Sequence, residues 1–263
     1  MNLQGDFLQV LQDHGYVMDR LQGQGPTPAS NTESQITQGT TVFAMKYREG
    51  VLVAGDRRAT AGNMVMYDRT DKVLELDRYS VLAIAGVPAT AFEMARVLEH
   101  SFKYYRRSQL QDLSFDGKLR ALSTLLKGNA PAAIAGTGTV APIFAGYDFH
   151  DDCGKIFFYD ILGAEFEGVE YAVSGSGSST IRGILFYMNR WGSAPVAELG
   201  EEEALTLVLR LMTSAAEFDS ATGGVNTQAH LYPIVKRISA EGVTSVPMDQ
   251  LQRLFSEKVL SDV

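Results

Sequence analysis

The stretch Gly39-Thr40-Thr41-Val42-Phe43-Ala44-Met45-Lys46-Tyr47-Arg48-Glu49-Gly50-Val51-Leu52-Val53-Ala54-Gly55-Asp56-Arg57-Arg58-Ala59-Thr60 marks an abrupt change of character in this chain of 263 residues. Thr41 to Tyr47 and Val51 to Gly55 are runs of aliphatic, aromatic and β-branched residues, and Arg48-Glu49-Gly50 between them predicts a hairpin. Upstream the pattern is different. Residues 21–39 are rich in Gly, Pro, Ser, Thr and Gln, carry one charge and have no hydrophobic period, which reads as a flexible linker. Before the linker, Phe7, Leu8, Val10 and Leu11 would line one side of a short helix. Composition alone does not separate a disordered tail over residues 1–39 from a segment that is cut away.

Downstream, further strands are predicted at Val65–Tyr67, Lys72–Leu76 and Val81–Ala85. Two helical patterns follow, Ala89–Arg107 and Phe115–Lys127; Phe92, Ala95, Val97, Leu98 and Phe102 form the apolar stripe of the first. Strands resume at Pro142–Tyr147, Lys155–Tyr159 and Tyr171–Val173. Helices fit Ser179–Arg190 and Glu201–Glu217, and a strand pair at Tyr232–Ser239 and Gly242–Val246 precedes a short helix from Met248 to about Lys258. Strands and helices come in clusters instead of alternating. This predicts an α+β chain, two antiparallel sheets sandwiched between helix pairs, in one domain with no internal repeat.

The bulk properties exclude several functions. A formal net charge of −8 argues against a nucleic-acid binder, which would carry a basic face. One cysteine, Cys153, permits no internal disulfide framework, and the four histidines share no metal-ligand spacing, so neither metal nor cofactor is expected. No run approaches the roughly 18 apolar residues that span a membrane, and no basic n-region precedes an apolar one, which suggests a cytoplasmic protein.

Three common hydrolase and nucleotide signals are missing: a G-x-S-x-G elbow, an H-E-x-x-H helix and a G-x-x-x-x-G-K-[ST] loop. Ser174-Gly-Ser-Gly-Ser-Ser179 follows a strand and opens a helix, as a phosphate cradle would. It lacks the third glycine of a dinucleotide fingerprint and a suitably placed acid. What remains is Gly39-Thr40-Thr41, Gly55-Asp56-Arg57-Arg58-Ala59-Thr60, Asp71-Lys72-Val73, Ile84-Ala85-Gly86, Ser174-Gly-Ser-Gly-Ser178 and Asp219-Ser-Ala-Thr-Gly-Gly224. Each alone is weak. In this order and spacing they resemble the 20S proteasome β subunits of bacterial (actinobacterial-like) or archaeal type, over essentially all of residues 40–263.

The resemblance implies a four-layer αββα sandwich and a precursor whose residues 1–39 are a propeptide, cut between Gly39 and Thr40. A threonine hydroxyl is a poor nucleophile without an adjacent base. Once exposed, the α-amine of Thr40, with an ordinary pKa of roughly 7.7–8.0, can serve as that base, so no histidine is needed. By family geometry Lys72 lies beside Thr40 and tunes it, Asp56 holds Lys72 charged, and Gly86 offers an N–H to the oxyanion. Ser176 and Asp219 support the new N-terminus. Ile84 would floor the pocket for the residue before the cut, with Ala59, Thr60, Thr70 and Leu74 near it. None of these is charged, which implies a chymotrypsin-like preference. Pro88 departs from the family, placing a residue without an N–H where the backbone pairs with substrate.

Proteasome α subunits, other β subunits in seven-membered rings, a ring-shaped ATPase or other activator, and unfolded protein substrates are the implied partners. Two rivals remain: another N-terminal-nucleophile amidohydrolase acting on small amides, and a catalytically silent β subunit. Members of the first group usually expose Ser or Cys. Members of the second usually lose the threonine, lysine or aspartate, all three of which are present here.

Overall fold

A computed structural model of the chain describes residues 39–61 and 64–262. The linker and the helix expected near Phe7 lie outside them. Two five-stranded antiparallel sheets stack face to face. The first holds β1 (Thr41–Tyr47), β2 (Gly50–Gly55), β10 (Tyr171–Gly175), β11 (Ile234–Ser239) and β12 (Gly242–Ser245), in the order β10-β1-β2-β11-β12. The second holds β5 (Val73–Asp77), β6 (Ser80–Ala83), β7 (Ile143–Asp148), β8 (Cys153–Tyr159) and β9 (Glu165–Glu167), in sequence order. A separate hairpin pairs β3 (Ala59–Ala61) with β4 (Met64–Tyr67). Helices α1 (Pro88–Gln109) and α2 (Phe115–Ile134) cover the second sheet; α3 (Ser178–Trp191), α4 (Glu201–Phe218) and α5 (Met248–Leu254) cover the first.

The strands decide this layering by their alternation. Val42 and Ala44 of β1, Val51 and Val53 of β2, Val81 and Ala83 of β6, and Ile143 and Ala145 of β7 form one buried cluster between the sheets. The intervening residues face the other way. Phe43, Met45, Leu52 and Ala54 pack with Ile181, Leu205, Val208 and Met212 of the helices. Leu82 and Phe144 pack with Met94, Leu98, Leu122 and Leu126. Both faces of each central strand are covered, so these strands read as continuous apolar runs instead of alternating with polar residues. Residues between the sheets are mostly Val, Ala and Ile, which suits a gap of about 10 Å shared by two rows of side chains.

The elements predicted within the described residues are present, with shifted ends. The two short strands β3 and β9 went unpredicted, and α2 runs seven residues past Lys127. Gly128 and Pro131, both poor helix formers, lie inside this extension. Pro131 is exposed, so the carbonyl it leaves unpaired faces water, while buried Asn129 and Ala133 hold the last turns against the core.

Phe144 has no exposed surface and meets Phe115 edge to face at 5.6 Å. Phe144→Ala is expected to destabilise the isolated chain by about 3–5 kcal/mol in urea unfolding. The exposed Thr124→Ala should stay within about 0.5 kcal/mol of the parent.

Candidate active site

Every chemically suggestive residue around Thr40 is set by the end of an element. Thr40 immediately precedes β1, and Asp56 follows its partner β2. Lys72 precedes β5, Ser176 follows β10, and Asp219 caps the end of α4. Strand pairing brings these ends together, since β1 lies between β10 and β2 with Thr41 opposite Gly175 and Val42 opposite Gly55.

Asp56 is wholly buried and fully used. Its Oδ1 accepts from the Thr41 N–H at 2.8 Å and from Lys72 Nζ at 2.7 Å. Its Oδ2 accepts from the N–H groups of Arg58 and Gly223 at 2.9 and 3.0 Å. Lys72 Nζ also donates to the Arg58 carbonyl, and reaches the Gly39 carbonyl at 3.4 Å. Burial lowers the pKa of Lys72 below its ordinary value, and the Asp56 charge and hydrogen bond work against that. Asp56 therefore limits a shift that burial imposes, and the ammonium stands among carbonyl oxygens that favour its charged form.

On the other side, Ser176 N–H donates to the Thr40 carbonyl at 2.8 Å, and the Ser176 hydroxyl lies 3.4 Å from that oxygen while hydrogen-bonding Asp219. Burial pushes the Asp219 carboxyl up. Hydrogen bonds from Ser176, Thr222 and the Ala221 N–H outweigh this and hold it below the usual carboxylate range. Two residues absent from the sequence-based set complete the frame. The Thr41 hydroxyl accepts from Gly177 N–H at 2.9 Å and lies 2.5 Å from the Thr222 hydroxyl, which itself donates to Asp219. Each hydroxyl has one proton, so the order is fixed: Gly177 N–H to Thr41, Thr41 to Thr222, Thr222 to Asp219.

The glycines of Ser174–Ser178 serve this approach and not a phosphate. A Cβ on Gly175 would lie 1.8 Å from the Thr40 carbonyl oxygen. One on Gly177 would lie 2.7 Å from the Thr41 hydroxyl and 2.8 Å from that of Thr222.

A narrow cavity beside Thr40 is lined by Gly39, Ala59, Thr70, Lys72, Ile84, Gly86, Pro88 and Phe92. Four of the six residues expected at a substrate pocket are there, together with Phe92, which the sequence assigned only to a helix stripe. Thr60 instead accepts a hydrogen bond from the Gly39 N–H at 3.1 Å, and Leu74 packs into the layer between the second sheet and α1. Pro88 is the first residue of α1, where a missing N–H costs the helix nothing. Gly86 bridges Val140 through its neighbours, Val87 N–H to Thr139 O and Ala141 N–H to Ala85 O. In that arrangement the N–H of Gly86 itself points away from Val140.

Among the described residues no cluster of His, Cys, Asp and Glu could hold a metal, and no helix is long and apolar enough to cross a membrane. Two antiparallel sheets between helix layers, with a threonine, a lysine and an aspartate gathered at the start of a central strand, define the N-terminal-nucleophile hydrolase fold. The family model described as "Proteasome subunit" matches residues 36–231, and the chain belongs to that family. It is 37% identical to the proteasome subunit beta of Streptomyces griseus over 97% of this chain and 88% of that one. It is 39% identical to the proteasome subunit beta of Streptosporangium roseum, over 86% and 78% of the two chains. With the proteasome subunit beta 2 of Thermomonospora curvata the figures are 36%, 88% and 80%.

Thr41→Val would leave the Gly177 N–H without its acceptor and remove the proton that Thr222 receives. Urea unfolding of the isolated chain is expected to show a loss of about 1–3 kcal/mol, mostly recovered in Thr41→Ser.

Proposed function

We propose that the chain is the catalytic β subunit of a 20S proteasome core, a threonine endopeptidase made as a precursor and activated by its own cleavage of the Gly39–Thr40 bond. The observation that carries this reading is the pairing of Lys72 Nζ with both Asp56, at 2.7 Å, and the carbonyl of Gly39, at 3.4 Å. A buried cation beside the carbonyl N-terminal to a threonine is suited to the negative charge that develops on that oxygen during attack.

In the precursor, Thr40 Oγ adds to the Gly39 carbonyl carbon while Lys72 steadies the oxygen. The hydroxyl proton passes to the Thr40 nitrogen, the Gly39 C–N bond breaks, and an ester remains. Water then adds to the ester carbon, releasing Gly39 as a carboxylate and restoring the Thr40 hydroxyl beside a free amine. That amine acts as general base toward substrates, with the proton relayed through a water. Lys72 favours the neutral amine, and Ser176 and Asp219 hold the new N-terminus. The N–H of Gly86 faces the tetrahedral oxyanion. The mature chain keeps 224 of the 263 residues once 39 are removed.

Ile84, Ala59, Thr70 and Phe92 give the cavity an apolar lining, which supports preference for large hydrophobic residues before the cut. Pro88 contributes no N–H toward an extended substrate, so one strand-like hydrogen bond is forgone there. Membership of the family supports assembly into a proteasome core, and we extend this to stacked seven-membered rings with α subunits outside and a ring-shaped ATPase or other activator feeding unfolded proteins, in the cytoplasm. The retained Thr40, Asp56 and Lys72 argue against a silent ring element.

Thr40→Ala is expected to keep residues 1–39 attached and to abolish peptide hydrolysis with folding intact, read by intact mass and a fluorogenic peptide. A mature chain starting at Thr41 or beyond would sink the mechanism. In assembled particles, peptides with Phe, Tyr or Leu before the reporter should be cut faster than those with Arg or Asp. An unpaired charge in an apolar pocket costs several kcal/mol, and faster cleavage after Arg or Asp would show the pocket to be misassigned.

A further inference from the structure

We propose that Ala221 determines the specificity of the precursor's own cleavage, because its side chain and backbone together form a wall that admits only glycine at position 39. This rests on the reading of Gly39–Thr40 as the bond that is cut. Gly39 is held at both polar ends, its N–H on Thr60 Oγ1 at 3.1 Å and its carbonyl within 3.4 Å of Lys72 Nζ. Held so, it lies flat against residue 221. A Cβ on Gly39 would fall 1.9 Å from Ala221 Cβ, 2.8 Å from its Cα and 2.9 Å from its carbonyl oxygen. Carbon atoms in comfortable contact are roughly 3.5–4.0 Å apart.

The wall has little room to retreat. The carbonyl of Ser220 accepts from Arg58 Nη1 at 2.8 Å, and the Ala221 N–H donates to Asp219 Oδ1 at 3.0 Å. Thr222 is tied through its hydroxyl to Asp219 and Thr41, and the N–H of Gly223 is held by Asp56. These bonds belong to the frame around Thr40 itself. A side chain at position 39 would therefore be accommodated by moving residue 39, and its carbonyl would leave Lys72. A displacement of about 1 Å at a reacting carbon is enough to cost roughly a hundredfold in rate. A purely conformational need for glycine predicts something different: a β-branched residue would then be far worse than alanine. The wall acts on the first carbon, which alanine, serine and valine share.

The test follows loss of residues 1–39 by intact mass during assembly of the full-length chain with its partner subunits. Gly39→Ala is expected to slow cleavage about 100-fold. Gly39→Ser and Gly39→Val should fall within about fivefold of Gly39→Ala, since the shared Cβ is what overlaps. In the Ala221→Gly background, which removes the 1.9 Å overlap but leaves the Cα and carbonyl oxygen of residue 221 at 2.8 and 2.9 Å, the Gly39→Ala penalty should shrink in part, to about tenfold, measured against Ala221→Gly alone so that any effect of that change on the frame cancels. Three results each overturn the inference: Gly39→Ala cleaved at the parent rate, a penalty unchanged by Ala221→Gly, or Gly39→Val much slower than Gly39→Ala. If Ala221→Gly does not assemble, the series at position 39 decides alone. A parent chain that assembles and keeps residues 1–39 overturns the cleavage reading and this inference with it. Normal parent cleavage with any of the three results overturns only the role of Ala221.

Discussion

A carboxylate with no exposed surface is tolerable only if its charge and lone pairs are all engaged, and Asp56 meets that condition with four donors. Those donors come from four separate places in the chain: the first residue of β1, the loop after β2, the residue before β5 and the loop after α4. Deleting any one of them would leave part of a buried charge unpaired. The carboxylate thus fixes where the first sheet, the second sheet and the end of α4 meet, and Thr40 sits at that junction. The network also explains why Lys72 is buried at all. Its ammonium is surrounded by the Asp56 oxygen and the carbonyls of Arg58 and Gly39, which compensate for lost water.

The same constraint accounts for features that seem unrelated in sequence. The glycines of Ser174–Ser178 are required because the turn after β10 runs against Thr40 and Thr41 at contact distances that no Cβ survives. Gly223 places a Cβ-free backbone where its N–H reaches Asp56. Arg58 serves by its backbone, giving an N–H to Asp56 and a carbonyl to Lys72, while its guanidinium binds the Ser220 carbonyl.

The sequence revealed the layers because burial of both strand faces leaves long apolar runs that only helices on one side and a second sheet on the other can cover. Thr40, Asp56 and Lys72 were legible as members of ordered motifs, and the structure brings them around one peptide bond. Thr41 and Thr222 were not read, although a signal existed. Thr41 alternates with Phe43 and Met45, so its hydroxyl faces the helix layer, where an unpaired polar group is expensive. Its partner lies 181 residues away, a separation at which spacing carries no information. Leu74 was assigned to the pocket; it packs under α1 in the same cluster as the cavity liners Ile84 and Phe92, on the same side of the sheet, without itself lining the cavity. The short β9 carries two glutamates in three residues and sits at the sheet's edge, so nothing in its composition called for a strand.

The cavity beside Thr40 holds about 10 Å³ for water-sized solvent, room for roughly one water and far too little for a substrate side chain. Gly39 is one of its walls. Under the proposed cleavage of the Gly39–Thr40 bond, the residue removed would also be part of what keeps the pocket narrow. While it is in place, the Lys72 ammonium has the Gly39 carbonyl within reach, and Thr60 is occupied by the Gly39 N–H. On that proposal, departure of Gly39 would free both groups at once, a donor for a substrate carbonyl and an acceptor for a substrate N–H. Under that reading, the backbone at Gly39 occupies polar positions that an extended peptide would need. Inhibition and preorganisation would then follow from a single set of contacts, since the frame that holds Gly39 is already assembled for whatever replaces it.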